Sequence, residues 1–187
     1  MTSLEEQKRA LRAEVRARLP KPGSEEFVSA SVRAQERLLS QALRNGSGMV
    51  GLYRALPAEC GTASAAAALQ AAGREVCYPV VVPGELALQF RRASGVFVAG
   101  AIGVEEPTGA PVPLHEIALL VVPALAVDAK GRRLGRGKGH YDATLAAFRR
   151  TAVALVFDSQ LVPEVPVGEH DQRVGAVCTE SRWLSIV

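Results

Sequence analysis

The sequence reads as a three-layer α/β/α protein, with a mainly parallel sheet covered by helices on both faces and two helices at the N-terminus. Two observations carry that reading. From residue 49 onward, short continuous apolar runs are interleaved with helical stretches. Most of these runs are rich in β-branched residues and lack polar alternation, as strands buried on both faces require. Strand, helix, strand in succession then implies right-handed crossovers and parallel pairing. At 187 residues and 48% hydrophobic, the chain can bury one substantial core, and no linker or repeat divides it, so residues 1–187 read as a single domain.

Leu4, Leu11, Val15 and Leu19 fall on one helical face, and Pro20 with Pro22-Gly23 ends that first helix. Ser24 offers a cap, and Glu25 and Glu26 suit the first turn of a second helix. Val28, Val32, Leu39 and Leu43 mark its apolar face, and Asn45-Gly46 closes it. Residues 49–53 form a short apolar run suited to a buried strand. Residues 62–72 are alanine-rich and helical, stopping at Gly73. Residues 76–82 and 86–91 read as strands joined by a hairpin at Pro83-Gly84, the second half-exposed. Residues 117–122 and 152–157 are further apolar strands with a helix over 141–150 between them. Residues 174–179 are a last candidate strand.

The segment from Arg132 to Asp142 holds the densest chemical information. Gly135, Gly137 and Gly139 alternate with cations, which suits a backbone curling around an anion, through positive φ or close approach. Arg133, Arg136 and Lys138 supply charge, and the arginines can grip phosphate oxygens two at a time. The spacing of Tyr141, Leu145 and Phe148 starts a helix just after the last glycine, so its first amides point at the same anion. Neither common nucleotide fingerprint fits. A P-loop needs Ser or Thr after Gly137-Lys138, where Gly139 stands, and a first glycine where Arg132 stands. The dinucleotide pattern fails at His140. A polyphosphate site is the reading, weighed against a solvated basic turn.

The net charge of +3 is compatible with a nucleic-acid binder and equally with an enzyme for anionic substrates. Cys60, Cys77 and Cys178 are widely spaced and contain no C-x-x-C pair, so they read as reduced thiols rather than a disulfide or zinc framework. Residues 1–18 alternate charges without an apolar signal core, and no run of about 18 apolar residues predicts a membrane span. A cytoplasmic protein without membrane association is the expectation.

Several blocks resemble the 5-formyltetrahydrofolate cyclo-ligases, also called 5,10-methenyltetrahydrofolate synthetases. The main block runs Val122-Pro123-Ala124-Leu125-Ala126-Val127-Asp128, Gly131, Arg133-Leu134-Gly135-Arg136-Gly137-Lys138-Gly139 and Tyr141-Asp142. Lys8-Arg9-Ala10-Leu11-Arg12, Tyr53 through Glu59 with Thr62, and Val165-Pro166-Val167 with Glu169 and Asp171 resemble family segments in collinear order. The resemblance implies the scaffold shared with phosphosugar isomerases and CoA transferases. It also implies ATP-dependent conversion of 5-formyltetrahydrofolate to 5,10-methenyltetrahydrofolate with release of ADP and phosphate. Mg2+ is the implied cofactor, ATP and the folate the small-molecule partners, and a monomer without nucleic acid the implied state.

By resemblance, Arg133, Leu134, Gly135, Arg136, Gly137, Lys138, Gly139, His140 and Tyr141 form the ATP-binding loop, joined by Lys8 and Arg12. Arg136, Lys138 and Tyr141 are the catalytic candidates. Tyr53, Arg54, Glu59 and His140 correspond to folate-binding positions, and Asp142 and Asp171 to magnesium ligands. Glu105-Glu106-Pro107 resembles a family loop near the substrate. Taken singly, each has a plainer reading. Lys8 and Arg12 suit a solvated helix face, Tyr53 a strand-end core position, and Thr62 the cap of the following helix. Asp142 suits a helix first turn, and Asp171 an ordinary loop.

Two departures stand out. His140 occupies a position where the family usually has tyrosine, and Cys60-Gly61 replaces a more usual apolar-acidic pair. Two other classes compete. A phosphosugar isomerase or CoA-transferase-like enzyme would need a carboxylate base or nucleophile at the sheet edge. An RNA-binding module would want exposed aromatics beside its cations, and aromatics are only 5% of the chain, with Tyr141 alone near the loop.

Overall fold

A computed structural model describes residues 2–44, 46–100 and 103–186. Helix α1 (Leu4–Arg18) opens with a capping box: the Glu6 amide donates to Ser3 Oγ, and the Ser3 amide donates to the Glu6 carboxylate at 2.8 Å. Helix α2 (Glu25–Arg44) follows, with the Phe27 amide donating to Ser24 Oγ as the sequence predicts. Its expected stop at Asn45 lies outside the described residues.

The next elements are β1 (Met49–Gly51), α3 (Ala63–Ala71), β2 (Val76–Val80) and β3 (Gln89–Arg92). Then come β4 (Phe97–Ala99), β5 (Glu105–Pro107), β6 (Pro111–Val112), β7 (Ile117–Val122), β8 (Ala126–Val127) and β9 (Arg133–Leu134). The chain closes with α4 (His140–Ala147), β10 (Thr151–Leu155), β11 (Ala176–Cys178) and β12 (Trp183–Ser185).

Eight strands form one sheet in the order β12-β11-β10-β7-β1-β2-β3-β6. The inner five, β11 to β2, pair in parallel, and both edges are antiparallel. Successive residues of β7 feed opposite cores. Leu119 and Val121 join α2 and α3 on one face, while Leu120 and Val122 join Leu145 and Phe148 of the α4 segment on the other. That double burial explains why β7 reads as six unbroken apolar residues. Each fully buried Leu or Val contributes roughly 1.5–3 kcal/mol.

Three expectations need correction. The exposed face of α2 carries Val28, Val32 and Leu43, while its buried face is Ala30, Ser31, Ala34, Gln35, Leu38 and Ala42. Small residues win because α2 lies close against alanine-rich α3 and the sheet. The crossover from β10 to β11 uses a single 3-10 turn, Asp158–Gln160, and loop in place of an α-helix. The hairpins β4–β5 and β8–β9 were absent from the sequence reading, because strands of two or three residues leave no periodic signal. No helix among the described residues is long and apolar enough to cross a membrane.

Candidate active site

A cleft of about 540 Å³ opens where the chain leaves the carboxyl ends of β1, β2 and β7. Such ends are where parallel sheets place ligands. Helix α1 forms one wall. Val15 and Leu11 pack on Ala126, Leu134, Val162 and Val165, which seats the helix on the β8–β9 hairpin rather than on the main sheet. Lys8 and Arg12 lie one turn apart on the same side and therefore turn inward with the apolar stripe. Lys8 is only 8% exposed, and its ammonium lies 2.6 Å from Asp171 Oδ2. Arg12 Nε donates to the Gly135 carbonyl at 3.1 Å. The solvated-face reading of these two cations does not survive.

The glycine segment lies against them. Gly137 and Gly139 adopt φ of +97° and +75°, conformations closed to most side chains, and Gly139 is the residue before α4. Gly135 has no positive φ among the described residues, so that part of the expectation fails there. Its contribution is close approach: a Cβ at Gly135 would lie 3.1 Å from Arg133 Nη1. As predicted, a helix begins at His140, although it ends at Ala147 rather than 150.

Charges in the cleft are mostly paired. Arg133, 4% exposed, donates to Asp142 Oδ1 at 2.9 Å and sits 5.8 Å over the Tyr141 ring. Its buried Nε has no hydrogen-bond partner among the described residues. Arg136 Nε donates to Glu59 Oε1 at 3.0 Å, and the Leu56 amide holds Glu59 Oε2 at 2.9 Å. Lys138 is exposed and makes no ion pair or hydrogen bond with any described residue. His140 Nδ1 lies 2.8 Å from the Leu86 carbonyl. A carbonyl only accepts, so Nδ1 carries the proton and Nε2 is left for another partner.

The segment after β1 is braced from below. Tyr53 is 2% exposed, and its hydroxyl donates to the Cys60 carbonyl at 2.7 Å, so it is a core residue whose edge borders the cleft. Burial pushes its phenol well above the ordinary value. Thr62 does not cap α3. Its hydroxyl donates to the Tyr53 carbonyl at 2.6 Å. Gln35 of α2 takes over the cap, accepting from the Ser64 and Ala65 amides at 3.0 and 3.2 Å, and Ser31 Oγ accepts from the Gly61 amide at 2.9 Å. Arg54 pairs with Glu105 and lies 4.5 Å over the Phe97 ring, tying this segment to the β4–β5 hairpin.

Protonation states follow from these contacts. Burial opposes ionisation of Asp171, but the Gly168 amide at 2.5 Å and Lys8 outweigh it and hold the carboxyl below its ordinary value. Tyr141 is pushed well above the ordinary phenol value, chiefly by burial, and stays protonated near neutrality. Burial raises the thiols of Cys60, Cys77 and Cys178 to about 12, leaving three inert free cysteines.

Among the described residues, no cluster of three or more His, Cys, Asp or Glu side chains makes a ready metal cage. The donor set still suits a hard cation that keeps its waters. Asp142 Oδ2 and Asp171 Oδ1 accept no hydrogen bond from the described residues, and both carboxylates border the cleft. Of the predicted positions, all border the cleft. Sequence reasoning missed Arg16 and Gln160 and gave little weight to Glu106. Arg16 was findable, because it continues the four-residue spacing of Lys8 and Arg12.

Comparison with known proteins agrees with this geometry. The 5-formyltetrahydrofolate cyclo-ligase family profile matches residues 4–180. The chain is 26% identical to the 5-formyltetrahydrofolate cyclo-ligase of Mus musculus over 92% of this chain and 93% of the relative. It is 31% identical to that of Escherichia coli K12, covering 71% and 78%. The NMR structure of Aquifex aeolicus 5,10-methenyltetrahydrofolate synthetase superposes with a TM-score of 0.83 at 25% identity, over 96% of this chain and 92% of that one. The chain therefore belongs to the 5-formyltetrahydrofolate cyclo-ligase family of enzymes.

Proposed function

We propose that this enzyme converts 5-formyltetrahydrofolate and ATP to 5,10-methenyltetrahydrofolate, ADP and phosphate. The observation that carries the proposal is the convergence of α1 and the glycine segment on one wall of the cleft. That wall presents Lys138 without a counter-ion and Arg133 with a buried, unpartnered Nε. Such donors suit a polyphosphate.

The formyl oxygen is a poor leaving group. Transfer of the terminal phosphoryl makes it a phosphate ester. The folate N10 amine attacks the activated carbon and loses its proton, and phosphate departs with the C–O bonding pair. Nothing in this sequence of steps needs an enzyme nucleophile, and Glu59 is unsuited to be one, with both oxygens engaged. The protein aligns the reacting groups and neutralises charge. Lys138 and Arg136 would meet the transferred phosphoryl, and Lys8, Arg12 and Arg133 the remaining phosphates. Asp142 and Asp171 would hold Mg2+, which supplies further charge neutralisation when bound. Tyr53, Arg54, Glu59 and His140 border the folate side, and Tyr141, kept protonated, is available as an O–H donor.

The competing classes fare worse. Against the isomerase or transferase reading stand the pairing of Glu59 with Arg136 and the cyclo-ligase family match over residues 4–180, and an RNA-binding surface would be open rather than a cleft. The test is the appearance of methenyl-folate absorbance on mixing protein, 5-formyltetrahydrofolate, ATP and Mg2+. Lys138→Ala is expected to lower kcat/KM by roughly 100- to 1,000-fold, and Asp142→Asn to raise the Mg2+ requirement. Absence of product with the wild-type protein overturns the proposal. Full activity in both variants overturns the site.

A further inference from the structure

Besides its cations, the cleft is lined by the apolar side chains of Pro79, Val81, Leu88 and Val104 and by one carboxylate of the β4–β5 hairpin, Glu106. Glu105 and Glu106 are neighbours on β5 and so point to opposite sides. Glu105 pairs with Arg54. Glu106 turns the other way, where the Val81 amide, just past the end of β2, donates to its Oε1 at 2.9 Å. Oε2 accepts no hydrogen bond from any described residue.

Gly100 stands across the β4–β5 hairpin, and a Cβ there would fall 2.5 Å from both Glu106 Cδ and the Val104 carbonyl oxygen. A larger residue at that position would disturb the hairpin turn and the carboxylate together. Glu106 is also half-buried and has no cation partner among the described residues, unlike Glu59, Asp142 and Asp171. An oriented anion with one free oxygen in an apolar recess is an acceptor waiting for N–H donors from a flat, largely apolar group.

We propose that Glu106 is a specificity-determining residue that accepts hydrogen bonds from the amino-pyrimidinone edge of the folate pterin. This rests on the proposed folate substrate. The reduced pterin offers four N–H hydrogens (two on the 2-amino group, one each on N3 and N8), more than Glu59 can take, since one lone pair on each of its oxygens already accepts from Leu56 and Arg136. Glu106 supplies the second acceptor. A pterin bound there lies with its ring against Val81, next to the segment that the Leu88 amide ties to Thr144 of α4.

The variant that reads recognition is Glu106→Gln, which keeps the volume and the Val81 contact but replaces the free acceptor oxygen with an amide donor. Glu106→Ala would also orphan the Val81 amide and show as a lower melting temperature. Calorimetric titration without ATP should show 5-formyltetrahydrofolate binding Glu106→Gln roughly 10- to 100-fold more weakly than wild type. The KM for ATP should stay unchanged. An analogue lacking the 2-amino group should bind wild type and Glu106→Gln equally weakly. Equal affinity of wild type and variant for the folate overturns the assignment, as does a variant that still prefers the natural folate by the wild-type factor. Wild-type protein that binds the folate without turning it over refutes the reaction while leaving this test readable. Wild-type protein that binds no folate refutes both.

Discussion

Helices α1 and α2 carry similar apolar periodicity, yet the two helices use their faces in opposite ways. In α1 Val15 is buried and Leu11 partly so, and they bring Lys8 and Arg12 inward with them. In α2 Val28, Val32 and Leu43 of the stripe face solvent and only Leu39 packs on the core, while alanines, Ser31, Gln35 and Leu38 face inward. The partner surface makes the difference. α1 rests on an irregular hairpin beside a cleft, where long side chains find room and charges find counter-charges. α2 rests on a sheet and an alanine-rich helix, where mostly small residues, with Leu38 and Gln35 among them, allow close approach. Periodicity identifies a helix; the surface it meets selects the face.

If α1 is a functional wall, its variants should lose activity before they lose stability. Lys8→Ala is expected to lower kcat/KM by roughly 100-fold, measured by methenyl-folate formation, with the protein still folded. If α2 is purely a packing element, Ala34→Leu should do the reverse. Ala34 is 0% exposed and its carbonyl lies 3.6 Å from Cys178 Sγ, so overpacking should cost about 1–3 kcal/mol in denaturant unfolding.

Gln35→Ala sharpens the contrast, because Gln35 is the α2 residue that reaches toward the site. Losing its cap on α3 should cost about 1 kcal/mol and raise the KM for the folate through the loosened 59–64 segment. A change in stability without any change in KM would show that α2 does not position the site.

The docking of α1 should also weaken in acid. Asp171 titrates below its ordinary value, so its pairing with Lys8 stabilises the protein at neutral pH. That contribution is lost as pH falls below about 4. Melting temperature against pH should therefore fall less steeply on the acid side in Asp171→Asn than in wild type. The smallest effect belongs to the exposed stripe. Val32→Ser should change stability by less than about 0.5 kcal/mol, and a larger loss would mean the stripe is covered.

The glycine segment and the 53–62 segment differ in how far they could be read. Arg133 to Asp142 announces itself, because glycines and cations in alternation have few other uses, and the helix start at His140 follows from local spacing. Glu59 is different. Its orientation depends on the Leu56 amide, on Arg136 far along the chain, and on Ser31 and Gln35 from α2, none of which leaves a local signal. Glu106 is more hidden still, because a three-residue strand and a glycine across a hairpin define its position.

Local patterning alone determined the helices, the buried parallel strands and the glycine-and-cation turn of residues 133–142, since those depend on short-range periodicity, backbone freedom and charge. Tertiary structure decided which face α2 buries, that Gln35 of α2 rather than Thr62 caps α3, and which carboxylates are neutralised and which stand free. Those outcomes depend on what lies opposite each side chain, and the opposing groups come from parts of the chain up to 163 residues away.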